Sequence, residues 1–199
     1  MPFLFKRLVL FLSITAAYAA DKEPAVFRAA AAASYAHHQT NSQVTIGVDP
    51  FVDAEKAKTA FGKLNPYELG VLPVLVVIEN DTDKTIRLDR IQAVYTGPQS
   101  DKVEATPSGE VKYLNGPRRP DLIPGPAGTA KVAKLKRNPL NAWEIEGRAF
   151  AAKMLPAGQT ASGFFYFQTG LQRGATLYLS GLAEATTNKE LFYYEIPLE

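Results

Sequence analysis

The chain has 199 residues, with 22 basic and 20 acidic side chains, two histidines and no cysteine. Without cysteine there is no disulfide, thiolate metal site, cysteine nucleophile or lipid-modified cysteine anchor. The near-balance of charge excludes a global field that would draw the protein to nucleic acid or to an anionic membrane.

Lys6 and Arg7 form a basic flank, residues 8–17 an apolar run, and Ala17-Tyr18-Ala19 the small-x-small pattern that signal peptidase cuts. The run is about ten residues, well short of the roughly 20 that span a bilayer, so residues 1–19 read as a cleaved export signal with no retained transmembrane anchor. The mature chain then starts at Ala20, has 180 residues and carries 20 charges of each sign. A small exported chain without cysteine suits a bacterial envelope, in the periplasm or outside the cell.

Residues 20–42 contain an alanine run from Ala29 to Ala33 but few large apolar side chains, which predicts a tether or marginal helix. Residues 43–199 are expected to form a single domain. A strand is predicted at 43–48, then a short helix capped by Asp53 and running through Phe61. Residues 71–78 are apolar and β-branched without alternation, the pattern of a strand buried on both faces, with Pro73 near its start. A turn at 80–84 leads to a strand at 85–95, whose apolar set shifts phase near Asp89 and Arg90. That shift predicts a β-bulge. Further strands are predicted at 102–105 and 110–114. Residues 115–139 hold five prolines and three glycines, a density that predicts a mobile, exposed loop. The last four strands, at 147–154, 161–168, 175–182 and 190–198, are expected to form a hairpin meander.

These elements predict an all-β chain, an immunoglobulin-like antiparallel β-sandwich of about seven to nine strands with one short helix and a long Pro/Gly-rich basic loop. Two stretches resemble exported bacterial immunoglobulin-like domains of uncharacterised function. One is the apolar strand 74–78 with its Glu79-Asn80-Asp81-Thr82-Asp83 turn and following strand; the other is Leu155-Pro156-Ala157-Gly158 leading to the aromatic strand at 161–167. The resemblance implies the fold and brings no catalytic residue.

Few constellations support chemistry. His37 and His38 are adjacent and diverge in any regular backbone, so no metal site is expected of them, and a serine triad would have no other histidine. No cofactor is expected, for neither a phosphate-binding glycine loop nor a dinucleotide fingerprint occurs. Asp81 and Asp83 with Glu79, or Asp49 and Asp53, offer oxygens of the kind calcium takes but lack the full EF-hand ladder, so ordinary turn chemistry is expected of them. Glu144 and Glu146 would share a face if they lay in a strand, which leaves a glycan-cleaving enzyme as a third reading. The sequon at Asn80 carries no weight in a bacterial protein.

The candidate binding surface is aromatic and basic. Trp143, the only tryptophan, is expected in the core by default and would head a sugar-stacking surface if exposed. Phe164 and Tyr166 share one strand face, opposite Phe165 and Phe167, and Tyr194 lies opposite Tyr193. Lys112, Arg118, Arg119, Lys131, Lys134, Lys136 and Arg137 crowd the 111–138 segment against Asp121 alone. Aromatics are not interleaved with these cations beyond Tyr113, so a nucleic-acid platform is not expected. The leading expectation is a non-enzymatic envelope module that binds or assembles with a protein partner; the alternative is a carbohydrate- or anionic wall-polymer-binding module. Export itself is directly measurable: the intact mass of the secreted chain should correspond to cleavage after Ala19, and a mature chain that retains Met1 would refute the signal.

Overall fold

A computed structural model describes residues 27–114 and 138–199, together with the backbones of strands Leu122–Pro124 and Ala130–Val132. The predicted export signal, residues 1–19, lies outside the described residues. Among those described, no helix is long and apolar enough to cross a membrane.

The protein is all-β with antiparallel sheets. One four-stranded sheet has the order β1 (His37–Asn41), β2 (Val44–Pro50), β3 (Leu72–Asn80), β10 (Thr160–Phe167). The other has the order β13 (Tyr194–Pro197), β11 (Thr176–Ser180), β5 (Gln92–Thr96), β6 (Lys102–Glu104). A small third sheet joins β12 (Ala183–Glu184), β4 (Ile86–Arg87) and β9 (Met154–Leu155), and β7 (Leu122–Pro124) pairs with β8 (Ala130–Val132).

Strand β3 is the centre. The unbroken run from Leu72 to Ile78 is buried on both faces, as its lack of alternation predicts. One face, with Leu72, Val74, Val76 and Ile78, packs with Val44, Ile46 and Val48 of β2 against Tyr95, Leu177, Leu179 and Ile196 of the second sheet. On the opposite face, Leu75 and Val77 lie under Phe51, Ala57 and Phe61 around helix α1 (Ala54–Phe61), and under Ile145 of helix α2 (Trp143–Arg148). The Asp53 carboxylate caps α1 by accepting from the Lys56 amide at 3.0 Å, as expected.

Several predicted elements differ. The residue 20–42 tether is overturned over its described part. Ala32 is fully buried, its amide donates to Glu79 Oε1 at 2.9 Å, and it lies where a side chain at Gly47 would stand. Phe27 packs edge-on to Phe51 at 5.9 Å, and His37–Asn41 adds a strand to β2. The bulge predicted near Asp89 is a turn, in which Ile91 N–H donates to the Leu88 carbonyl and the chain passes from the small sheet to the second large one. The strand predicted at 110–114 is a 3-10 turn, Val111–Tyr113. The one predicted at 147–154 is helix α2, an extended link and the two-residue β9. No meander forms either: β10 pairs with β3, whereas β11 lies between β5 and β13. Most of the expected mobile loop at 115–139 lies outside the described residues.

The two large sheets are tied at both edges. Ala105 N–H donates to the Ala93 carbonyl at 3.0 Å, and the next residue, Thr106, donates to the Tyr166 carbonyl at 2.7 Å, so one segment links β5 to β10. On the other side Glu195 N–H donates to Gln39 Oε1 at 3.0 Å, and the Tyr194 hydroxyl donates to the Asn41 carbonyl at 3.1 Å.

Asn80 ends β3 and is fully buried. Its amide nitrogen donates to the carbonyls of Lys84 (2.8 Å), Leu155 (3.0 Å) and Pro156 (3.1 Å), while Oδ1 accepts from the amide and hydroxyl of Thr82 at 3.1 and 2.6 Å. One side chain thus joins two turns 75 residues apart. The same burial removes Asn80 as a glycosylation acceptor in the folded protein. Asn80→Asp replaces the donor with an oxygen facing three carbonyls, and should cost roughly 3 kcal/mol or more. Urea unfolding checks this, and a variant as stable as wild type would contradict the network.

Candidate functional site

Tyr113 and Trp143 are exposed, at 67% and 70%, on two elements that lie side by side. The Lys112 ammonium approaches Glu146 of α2 at 3.8 Å, and Asn138 Nδ2 donates to the Lys112 carbonyl. Asn138 Oδ1 in turn accepts from the Leu140 amide at 3.0 Å. The chain therefore leaves at Leu114 and returns at Asn138 from one pinned base. Six of the seven cations of the basic segment belong to residues between those two points.

Trp143 is exposed because it lies in a helix. Ile145 fills the second core at 1% exposure, and a residue two positions away in a helix points about 200° from it. The expectation of a core tryptophan, the default for a lone tryptophan in a strand-rich chain, is corrected. The indole lies along its own helix over Gly147: a Cβ there would stand 3.2 Å from Trp143 Cε3. Glycine in a helix costs about 1 kcal/mol relative to alanine, but here it leaves a bed for the ring. The same geometry separates Glu144 from Glu146, so the shared face that a glycosidase-like pair needs is not formed.

Phe164, Tyr166 and Tyr194 are corrected as surface residues, being 2%, 1% and 1% exposed. The expected alternation does hold: Phe164 and Tyr166 face the helices, whereas Phe165 and Phe167 face the opposite sheet. Both faces are covered, so neither is free for a partner. Phe164 lies against Phe51 and Phe61, each at 4.8 Å between ring centroids. The Tyr166 hydroxyl donates to the Ile145 carbonyl at 2.8 Å and fixes α2 beneath Trp143. Arg118, Arg119, Lys134, Lys136 and Arg137 lie outside the described residues, and Lys131 lies in β8. His37 and His38 lie in β1, where His38 Nδ1 is 2.7 Å from the Tyr35 carbonyl. Among the described residues, no three His, Asp or Glu side chains gather as a metal site would require.

Two concavities were not foreseen from sequence. One, of about 280 Å³, lies along the outer edge of β10, between Thr106 and the Phe150–Phe165 ring stack. The other, about 210 Å³, lies beside the β1–β2 turn and is walled by Phe192, which is 69% exposed. Both are assembled from segments distant in sequence, and no local pattern announces them.

No protein-family model and no curated protein matches the chain. Among solved structures it is similar to one described as the Northeast Structural Genomics Consortium target SoR45, at 7% identity and a TM-score of 0.34, over 79% of this chain and 88% of that one. It is also similar to a functionally unknown protein from Listeria monocytogenes EGD-e, at 13% identity and a TM-score of 0.34, over 80% and 79%. Likenesses at this level carry no argument about function.

Burial raises the phenol of Tyr194 to about 12, and that of Tyr166 further still against the opposing charge of Arg148. A tyrosine in the unfolded chain titrates near 10. The stabilisation from keeping these phenols neutral is therefore complete below pH 10 and is lost as pH rises from 10 through the folded values. Relative to Tyr194→Phe, the wild type should lose about 1.4 kcal/mol per pH unit between pH 10 and 12. Unfolding curves of both proteins at pH 9, 10 and 11 measure it; parallel curves would show that Tyr194 does not titrate with folding.

Proposed function

We propose that the protein is an exported, non-enzymatic β-sandwich of immunoglobulin-like type that binds an anionic carbohydrate or wall polymer. The observation that carries this reading is the exposed Trp143, on a helix whose Glu146 pairs with Lys112 next to the exposed Tyr113, at the pinned base of a segment rich in arginine and lysine. An indole face stacks on sugar rings, and cations neutralise the phosphate or carboxylate groups between them. The burial of Phe164, Tyr166 and Tyr194 takes away the aromatic surface on which a protein-partner reading rested, and favours the polymer reading over it.

Two variants separate stacking from charge. Trp143→Ala should leave unfolding unchanged and weaken binding to a teichoic-acid or lipopolysaccharide column about tenfold, within the range of one lost stacking contact. Arg118→Ala with Arg119→Ala should weaken binding and flatten its dependence on salt. If wild type is not retained on either polymer, or both variants are retained as well as wild type, the reading is wrong.

A further inference from the structure

We infer that the cavity walled by Phe192 is a second binding site, one that takes a single neutral or amino-substituted sugar ring. It lies at the Asn80 end of β3, whereas α2 and Trp143 lie over the Phe164–Tyr166 stretch of β10, and the inference does not rest on the polymer reading.

The cavity has one apolar side and one polar side. Ile86, 1% exposed, and the half-buried Leu191 form an apolar floor, and Phe192 stands beside them with most of its ring in solvent. Around the rim are Ser42, Gln43, Thr82, Asp83, Lys189 and Glu190, which together carry hydroxyl, amide, carboxylate and ammonium groups, the Ser42 hydroxyl also donating to Asn41 Oδ1 at 3.2 Å. These groups both donate and accept hydrogen bonds. A pyranose suits such a rim, because its C–H face packs on an aromatic ring while its hydroxyls both donate and accept. A purely apolar ligand would use only the Ile86, Leu191 and Phe192 side of the cavity and gain nothing from the polar side.

Charge narrows the class. Lys84 and Glu184 neutralise each other at 2.9 Å, whereas among the described residues Asp83 and Glu190 have no ion-pair partner. Two carboxylates against Lys189 leave the rim net negative, which favours an amino sugar and repels a uronic acid.

The frame is held before any ligand arrives. Asp81 N–H donates to the Gln43 carbonyl at 2.9 Å, Leu191 N–H to the Leu182 carbonyl at 2.7 Å, and the Thr187 hydroxyl to Glu184 at 2.8 Å. The β1–β2 turn places Ser42 and Gln43 at φ of 49° and 61°, positions that glycine or asparagine fill more easily. Two side chains that both line the cavity are thus retained at a conformational cost.

The test titrates glucosamine, methyl glucoside and glucuronate separately into the isotopically labelled mature chain, followed by amide NMR shifts. A ligand of this size should bind in the millimolar range. Expected are saturable shifts at residues 42–43, 82–84 and 189–192, with glucosamine at least threefold tighter than methyl glucoside and glucuronate weakest. Phe192→Ala, at an exposed position that spares the core, should weaken glucosamine at least tenfold, whereas Trp143→Ala should leave its affinity unchanged. Absence of saturable shifts with all three sugars, a preference for glucuronate, or an affinity unaffected by Phe192→Ala would each overturn the site.

Discussion

The structure depends on one strand that has no solvent side. Because β3 is apolar at every position from Leu72 to Ile78, each of its faces must be covered by something else. The second sheet covers one face and the α1–α2 layer the other, so the fold has three layers around a single strand. At its end the strand meets a different requirement, for its last residue is polar and buried. Asn80 meets it by binding the carbonyls of two turns, which fixes where β4 begins and where β10 starts its return beside β3.

Much of this was legible locally. The helix cap at Asp53, the doubly buried strand and the face alternation in Phe164–Phe167 follow from side-chain pattern alone, and all three occur. What pattern could not supply was pairing. The phase shift near Asp89 located the irregularity, but a bulge within one sheet and a turn between two sheets shift the apolar phase alike. The alanine run looked too small to dock because docking depended on Gly47, a residue in another strand whose missing side chain makes room for Ala32.

The site was legible in composition and misread in geometry. Trp143 and the basic residues stand out in the sequence, yet a lone tryptophan in a strand-rich chain is by default a core residue, and only the helix turns this one outward. In a six-residue helix Ile145 is buried and Trp143 is turned out. Phe164, Tyr166 and Tyr194 were the reverse case: alternating aromatics can face a partner or a second layer of the same protein, and only the presence of α1 and α2 decides between them. Phe192 had no marker at all, since its neighbours in the cavity come from the β1–β2 turn and the 82–84 turn.

The ties at Thr106 and Gln39 bear on how this molecule can meet others. Sheet edges are where foreign chains add a strand, whether as partners or as the start of an aggregate. Here the outer edge of β10 is occupied by Thr106 and Phe150, β1 lies against β13, and the remaining edge strand β6 is three residues long with a charge at each end. Among the described residues, the β10 edge is thereby already bonded at Phe164 and Tyr166, which narrows the room for backbone-to-backbone recruitment there. Recognition along the bonded stretch falls to side chains, which discriminate by shape and charge, and the same bonds make that stretch a poor template for a second copy of the chain.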